Sequence, residues 1–249
     1  LKAISQETTE LIAARNLALA EKEGADIAVL CSACTSVLTE VAKQLNEDPR
    51  LLEEINSQLK PLGLEYRGTV KMKHFTRILY EDVGLDRIRA AVKRELHGLS
   101  FAPHYGCHYL KPSEAYEGFD EVEAPQSIDR LIEATGAESV NYEDLKQCCG
   151  GALLAIDKDI AMSMADSKLK RVKAAGADAI VLVCPFCSVM YDDNQREIES
   201  IFETEYKIPV LYYPQVLGLA LGIDAKELGL NMNRVKTKDL LNKLEAAPV

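Results

Sequence analysis

The chain has 249 residues, 47% of them hydrophobic, and a formal net charge of −10. A chain of this size buries roughly 70% of its unfolded surface, so the fold needs no disulfide staples and the seven cysteines are free for chemistry. The negative balance repels polyanions, which argues against nucleic acid as a partner, and no run approaches the roughly 20 apolar residues of a membrane span. Closely spaced thiols with no basic-then-apolar leader ahead of them point to a reducing compartment, the cytoplasm.

In chain order, Leu11 to Glu23 reads as a helix that Gly24 ends, and Ile27 to Leu30 as a short apolar strand running into Cys31-Ser32-Ala33-Cys34. Thr35 to Leu45 is helical. Asn46 to Leu64, polar and carrying Pro49 and Pro61, reads as helix plus connection, and Thr69 to Phe75 is β-type. Leu99 to Tyr105 is apolar and aromatic, a strand that delivers Cys107. The acidic stretch Pro112 to Pro125 is expected as an exposed loop. Ser127 is expected to cap a helix running toward Thr135, with Gly136 as its stop. Glu138 to Tyr142 is a short strand before Cys148-Cys149-Gly150-Gly151. Asp157 to Ala175 is helical and ends at Gly176; Ala179 to Val183 then leads into Cys184-Pro185-Phe186-Cys187. Ser188 to Phe202 is helical, Val210 to Tyr213 is β-type, and the charged tail from Asn231 carries Leu240, Leu241 and Leu244 on one helical side.

Two stretches match each other. Gly24-Ala25-Asp26, an apolar strand and Cys-x-x-Cys recur as Gly176-Ala177-Asp178, an apolar strand and Cys-x-x-Cys, about 150 positions later. Each is preceded and followed by a helix and then by a short β run. Strands alternating with helices imply parallel α/β sheets built from βαβ units, with each cysteine group just past the C-terminal end of a strand, where such sheets bind ligands. The duplication divides the chain into 1–97 and 98–249. Extrapolating the offset puts the first copy's remaining cysteines upstream of Leu1, so a segment of about 45 residues or more is expected to precede this sequence, assuming that both copies form the same kind of site.

Cys107, Cys148, Cys149, Cys184 and Cys187 form one interrupted motif. Five thiolates exceed a tetrahedral zinc's four and cannot close into disulfides without a remainder. They suit iron with inorganic sulfide. Gly150 and Gly151 let backbone approach something bulky and aim N–H groups at sulfur, and Pro185 stiffens the turn between two ligands. Plain buried cysteines, a thioredoxin-like dithiol at Cys184 and Cys187, and zinc at Cys31 and Cys34 are the competing readings. His104 and His108 flank Cys107 and, with Lys111, are candidates for proton donation or contact with an anion; Lys73 and His74 are weaker candidates for the same part. His97 reads as a solvated helix end, and Tyr212 and Tyr213 as packing.

The order Cys107, Cys148-Cys149-Gly150, Cys184-x-x-Cys187, with Cys31-x-x-Cys34 ahead of it, resembles the cysteine-rich CCG domain, and the whole chain is similar to the family of heterodisulfide reductase B subunits, in which that domain occurs twice. The resemblance implies two Rossmann-like domains, 1–97 being a first CCG domain without its N-terminal portion and 98–249 a complete second one. It implies noncubane 4Fe–4S clusters: one complete site in this chain, and a second, served by Cys31 and Cys34, in the full-length protein. It further implies cleavage of the mixed disulfide of coenzyme M and coenzyme B between the two clusters, as in methanogenesis. The implied partners are the iron–sulfur C subunit and the flavin-carrying A subunit of the heterodisulfide reductase, with a small anionic disulfide as substrate. The CCG motif is shared with iron–sulfur subunits of glycolate, lactate and thiol–fumarate systems, and a non-catalytic electron-relay subunit is a further alternative.

Overall fold

The computed structural model of the chain describes residues 5–113, 116 and 118–246. Helix α1 (Gln6–Lys22) opens at Ser5, whose hydroxyl accepts the Thr8 N–H, and the chain reverses through Gly24 at φ +64°. Strand β1 (Ile27–Val29) runs into α2 (Ser32–Glu47). Asp48 then caps α3 (Pro49–Leu59) by accepting the Arg50 and Leu51 N–H groups, with proline at the first helical position where no donor is needed. Strand β2 (Met72–His74) returns parallel to β1, Ile27 opposite Met72 and Val29 opposite His74. Leu17, Leu45, Ile55, Leu59 and Tyr66 close the core between α1, α2 and α3.

A short α4 (Phe75–Arg77), a π-turn at Ile78–Val83 and α5 (Leu85–Ala91) lead to the second sheet. There β3 (Ser100–His104), α6 (Ser127–Glu133), β4 (Glu138–Ser139), α7 (Lys158–Ala174) and β5 (Ala179–Leu182) follow in turn. Then come α8 (Pro185–Ser188), a π-turn at Val189–Asp193, α9 (Gln195–Ile201), β6 (Val210–Tyr212), α10 (Tyr213–Ala220) and α11 (Lys238–Ala246). The strands lie in the order β4-β3-β5-β6 and every pairing is parallel. Parallel sheets need cover on both faces, and the strand residues divide accordingly. Phe101, Ala179, Val181 and Leu211 face α6 and α10, with Ile128, Leu131 and Val216 in one core. Ala102, Ile180, Leu182 and Val210 face α7 and α9, in a core that also holds Cys149, Cys184 and Cys187. The cysteine site therefore sits on the α7 side, beyond the C-terminal ends of β3 and β5. Ile88 and Leu96 share their core with Leu99 and Phe101, so packing runs continuously across the 97/98 position.

Three local expectations change. Ser127 is not the cap of α6 but its first residue; the Asp120 carboxylate accepts the Gln126 and Ser127 N–H groups, and the Tyr105 hydroxyl accepts those of Ile128 and Asp129. A distant carboxylate and a phenol thus do the work that a local serine would have done. The strand expected over Glu138 to Tyr142 stops at Ser139 because Tyr142 turns inward and its hydroxyl donates to the Pro103 carbonyl at 2.8 Å. The helix expected from Ser188 to Phe202 is interrupted by the π-turn, which buries Met190 and Tyr191. In the acidic stretch 112–125, residues 114, 115 and 117 lie outside the described residues; the rest is irregular.

Candidate metal centre

The two Cys-x-x-Cys turns have nearly the same backbone. Cys31 precedes α2 with φ −143° and ψ 122°, and Cys184 precedes α8 with φ −139° and ψ 120°. Each first cysteine thus stands as N-cap at the positive end of a helix, a place that favours thiolate over thiol. The turns face each other: Cys31 Sγ lies 3.6 Å from Cys184 Sγ. Within the second turn the Cys187 N–H donates to the Cys184 carbonyl at 3.1 Å, so both sulfurs leave one loop.

The doublet comes to the same place from the loop between β4 and α7. Cys148 Sγ lies 3.8 Å from Cys107 Sγ, which stands just past β3. The Gly150 and Gly151 N–H groups donate to Cys148 Sγ and Cys149 Sγ, both at 3.4 Å. Gly150 is in the left-handed region at φ +81°, and a Cβ there would come within 2.8 Å of the Ala161 carbonyl, so only glycine lets the doublet lie against α7. Cys149, Cys187 and His104 are all buried, with ligand atoms within 4.8 Å of one another. Cys107, Cys148, Cys149, Cys187, Cys184 and Cys31 thus form a connected string of free thiols from four segments. Cys34 is exposed, and among the described residues no third His, Cys, Asp or Glu joins it and Cys31 in a metal-binding group.

The string shares its protons unequally. Cys148 is held far down, to about 2, first by the Cys107 thiol, then by Cys149 and the Gly150 N–H, while Cys107 is pushed up by the same contact and by burial. Cys184 is likewise held low by Cys187 and Cys31, with the Ala33 and Phe186 N–H groups assisting, and Cys31 is pushed up. Cys149 is raised to about 12, chiefly by Cys148. Such an array gives up its remaining protons when a metal takes the sulfurs.

Around the thiols several polar groups are sealed in. His104 is 1% exposed; burial, then the nearby Lys168 ammonium, push it down to about 3, so the ring is neutral. Both of its ring nitrogens lack hydrogen-bond partners, as does the buried Tyr191 hydroxyl. Lys168 is itself lowered to about 7 by burial and lies 5.0 Å over the Tyr142 ring, its ammonium donating to the Asp144 carbonyl. Five convergent thiols with two orphaned buried donors beside them fit an iron–sulfur group, which takes thiolate ligands and presents sulfide acceptors.

The other expected residues are dispersed. His108 is exposed at the rim, its Nδ1 3.3 Å from Ser36 Oγ on α2, and Lys111 is exposed. Pro185 is the first residue of α8. His74 is 3% exposed and not available to an anion in solution: its Nε2 donates to the Val183 carbonyl at 2.9 Å, and its Nδ1 accepts the Thr76 N–H at 3.3 Å. His74 thereby ties the end of β2 to the residue before Cys184, a role the sequence hides because its partner is 109 positions away. His97 is exposed, with Nδ1 on the Gly136 carbonyl at 3.1 Å. Tyr213 is buried, donating to the Leu131 carbonyl at 2.9 Å. A cleft of about 400 Å³ lined by Thr35, Lys73, His74, Arg77, Tyr109 and Tyr116 borders this region. A larger one of about 890 Å³, between Glu21, Asn56 and Arg67, reaches none of the cysteines. No described helix is long and apolar enough to cross a membrane.

The cysteine-rich CCG domain family matches residues 1–39 and 101–192. The B subunit of a CoB-CoM heterodisulfide reductase of Methanosarcina acetivorans is 38% identical over 245 residues, 98% of this chain and 81% of the relative. The 8-methylmenaquinol:fumarate reductase membrane anchor subunit of Wolinella succinogenes is 34% identical over 227 residues, 91% of this chain and 78% of the relative. Among solved structures, a hypothetical protein from Helicobacter pylori superposes with a TM-score of 0.76 at 16% identity, covering 94% of this chain and 43% of that one, which shows a common fold. Cysteine order, parallel α/β architecture and near-full-length identity agree: the chain belongs to the cysteine-rich CCG-domain family, with the heterodisulfide reductase B subunits.

Proposed function

We propose that the chain is the disulfide-reducing subunit of a multi-subunit heterodisulfide reductase, acting on the small anionic mixed disulfide of coenzyme M and coenzyme B. The observation that carries this reading is the contact of the two Cys-x-x-Cys turns, Cys31 Sγ to Cys184 Sγ at 3.6 Å, which would put two sulfur-ligated centres side by side. Cys107, Cys148, Cys149, Cys184 and Cys187 would hold one noncubane 4Fe–4S cluster, and Cys31 with Cys34 would serve a second. Bound there, such clusters supply electrons one at a time, and the reaction R–S–S–R′ + 2e⁻ + 2H⁺ → RSH + R′SH needs two.

The chain's own residues have four tasks in this scheme. The N–H groups of Gly150, Gly151, Ala33 and Phe186 hold negative charge on the sulfurs. His108, exposed beside Cys107, is the candidate to pass a proton to a departing thiolate. Lys111 supplies positive charge at the rim against a chain of net charge −10. The β5 and α7 core keeps bulk water from Cys149, Cys184 and Cys187. The iron–sulfur C subunit and the flavin-carrying A subunit of such a reductase would deliver the electrons, in the cytoplasm.

The test is anaerobic reconstitution of the full-length protein with iron and sulfide, followed by mixed-disulfide-dependent oxidation of reduced viologen. Cys149→Ser or Cys187→Ser should abolish one cluster and turnover together; turnover that survives either change would overturn the reading. The Wolinella relative, named as a subunit of a fumarate reductase, favours a second reading, a CCG-family subunit of another oxidoreductase that does not itself reduce a disulfide. Iron binding with no disulfide turnover would favour it.

A further inference from the structure

His104 and Tyr191 are the least explained side chains in the molecule. The end of β3 drives His104 into the α7 side of the sheet, among Cys149 and Cys187, where neither ring nitrogen finds a partner. The π-turn at Val189–Asp193 widens the helix there and turns Tyr191 inward, fully buried, its ring edge-on to His104 with centroids 5.0 Å apart. Its hydroxyl is also unpartnered. Leaving a buried donor unsatisfied costs about 1–3 kcal/mol, and two adjacent cases beside a thiol array mark a missing acceptor rather than an accident of packing.

His104 and Cys187 meet at Gly106, whose φ is +67°. A Cβ built there would lie 3.3 Å from His104 Nε2 and 3.9 Å from Cys187 Sγ, so the nitrogen and the sulfur face the same backbone turn, which a side chain would crowd. Cysteine sulfurs are among the groups acting on both rings, Cys148 and Cys184 on His104 and Cys149 and Cys187 on Tyr191, and an iron–sulfur cluster would bring further sulfur acceptors to the same place.

We propose that His104 Nε2–H and Tyr191 O–H are hydrogen-bond donors to sulfur of the cluster held by Cys107, Cys148, Cys149, Cys184 and Cys187, positioning residues that raise its reduction potential. The inference rests on the cluster reading above and adds the residues that set how readily that cluster accepts an electron. Donors to sulfur stabilise the reduced, more negative state more than the oxidised one, so removing them lowers the potential. His104 then needs no access to substrate, in keeping with its burial.

The experiment is an EPR-monitored redox titration of the reconstituted full chain, with iron and sulfide counted on the same samples. His104→Leu should keep the iron and sulfide content while the midpoint falls, and His104→Gln, which retains an N–H, should recover part of the loss. Tyr191→Phe, which deletes only the hydroxyl, should lower the midpoint by less. Unchanged midpoints in both His104→Leu and Tyr191→Phe at full iron content overturn the proposal. So does a strongly coupled nitrogen in the EPR of the unaltered protein, which would make His104 an iron ligand. If His104→Leu fails to hold iron, Tyr191→Phe alone decides, by the same measurement. An unaltered chain that binds no iron and sulfide sinks the cluster reading first, and this inference with it.

Discussion

The same turn has two fates in this molecule. At the end of β1, Cys31-Ser32-Ala33-Cys34 leaves its second cysteine exposed, whereas at the end of β5, Cys184-Pro185-Phe186-Cys187 buries both. The backbone at the two leading cysteines is the same to within a few degrees, so the turn does not decide exposure. The neighbours do. β5 has β3 on one side and β6 on the other and is buried at every residue, while β1 pairs with β2 alone among the described strands and is partly exposed. The helices that the two turns open differ too: 16 unbroken residues of α2 against four of α8 and then a π-turn. Among the described residues, the recurrent loop is thus sealed where two strands flank the one that delivers it and left at a rim where one does.

Four experiments break or sharpen that contrast. The largest expected effect is on metal content. Cys184→Ser should remove nearly all iron that the reconstituted chain holds, and Cys34→Ser should leave most of it; equal losses, by colorimetric iron assay, would mean that the two turns serve one centre. Next, Leu182→Ala in β5 should cost about 3 kcal/mol in urea unfolding of the metal-free chain, against about 1 kcal/mol for Ile27→Ala in β1, because only the first opens a cavity in a fully closed core. Similar costs would show that the first sheet is as tightly packed as the second. Third, His74→Ala should destabilise by about 2 kcal/mol by removing a buried ring and its hydrogen bond to the Val183 carbonyl, which the Ser32 hydroxyl then holds alone, while a distant exposed change such as Glu54→Ala should cost near nothing.

The fourth experiment reads a pH slope. Burial lowers Lys168 to about 7, well below its unfolded value. Below pH 7 both states carry the charge and the full cost of burying it is present. Between about 7 and 10 the unfolded chain binds a proton that the folded one has shed, so stability rises with pH across that window. Lys168→Met should flatten this slope in metal-free protein; an unchanged slope would place the charge elsewhere.

Much of this was legible in the amino-acid order because it is local. Gly24 and Gly176 ahead of short apolar strands marked the two turns, and Asp157 and the same glycines marked helix ends that the structure shows. The doublet with Gly150 and Gly151 carried its own explanation, amides aimed at sulfur. The hidden part is long-range. Nothing near Cys31 announces that its sulfur meets Cys184, nor does anything near Asp120 announce that it caps a helix six residues on. The π-turn was invisible because Ser188 to Phe202 has a helical pattern throughout; one residue of extra winding, which aims Tyr191 at His104, leaves no mark on apolar periodicity. His104 and His74 stood as candidates for proton donation or anion contact because histidine is compatible with buried and exposed settings alike, and the structure places both inward.

The Ala33 N–H reaching toward Cys184 has a wider consequence. It makes the leading end of α2, a helix of one half, part of the electrostatic environment of a thiolate in the other. A change of charge on Cys184 therefore falls directly on the leading peptide unit of α2. That contact is made by backbone, and replacing side chains at the seam would leave it in place.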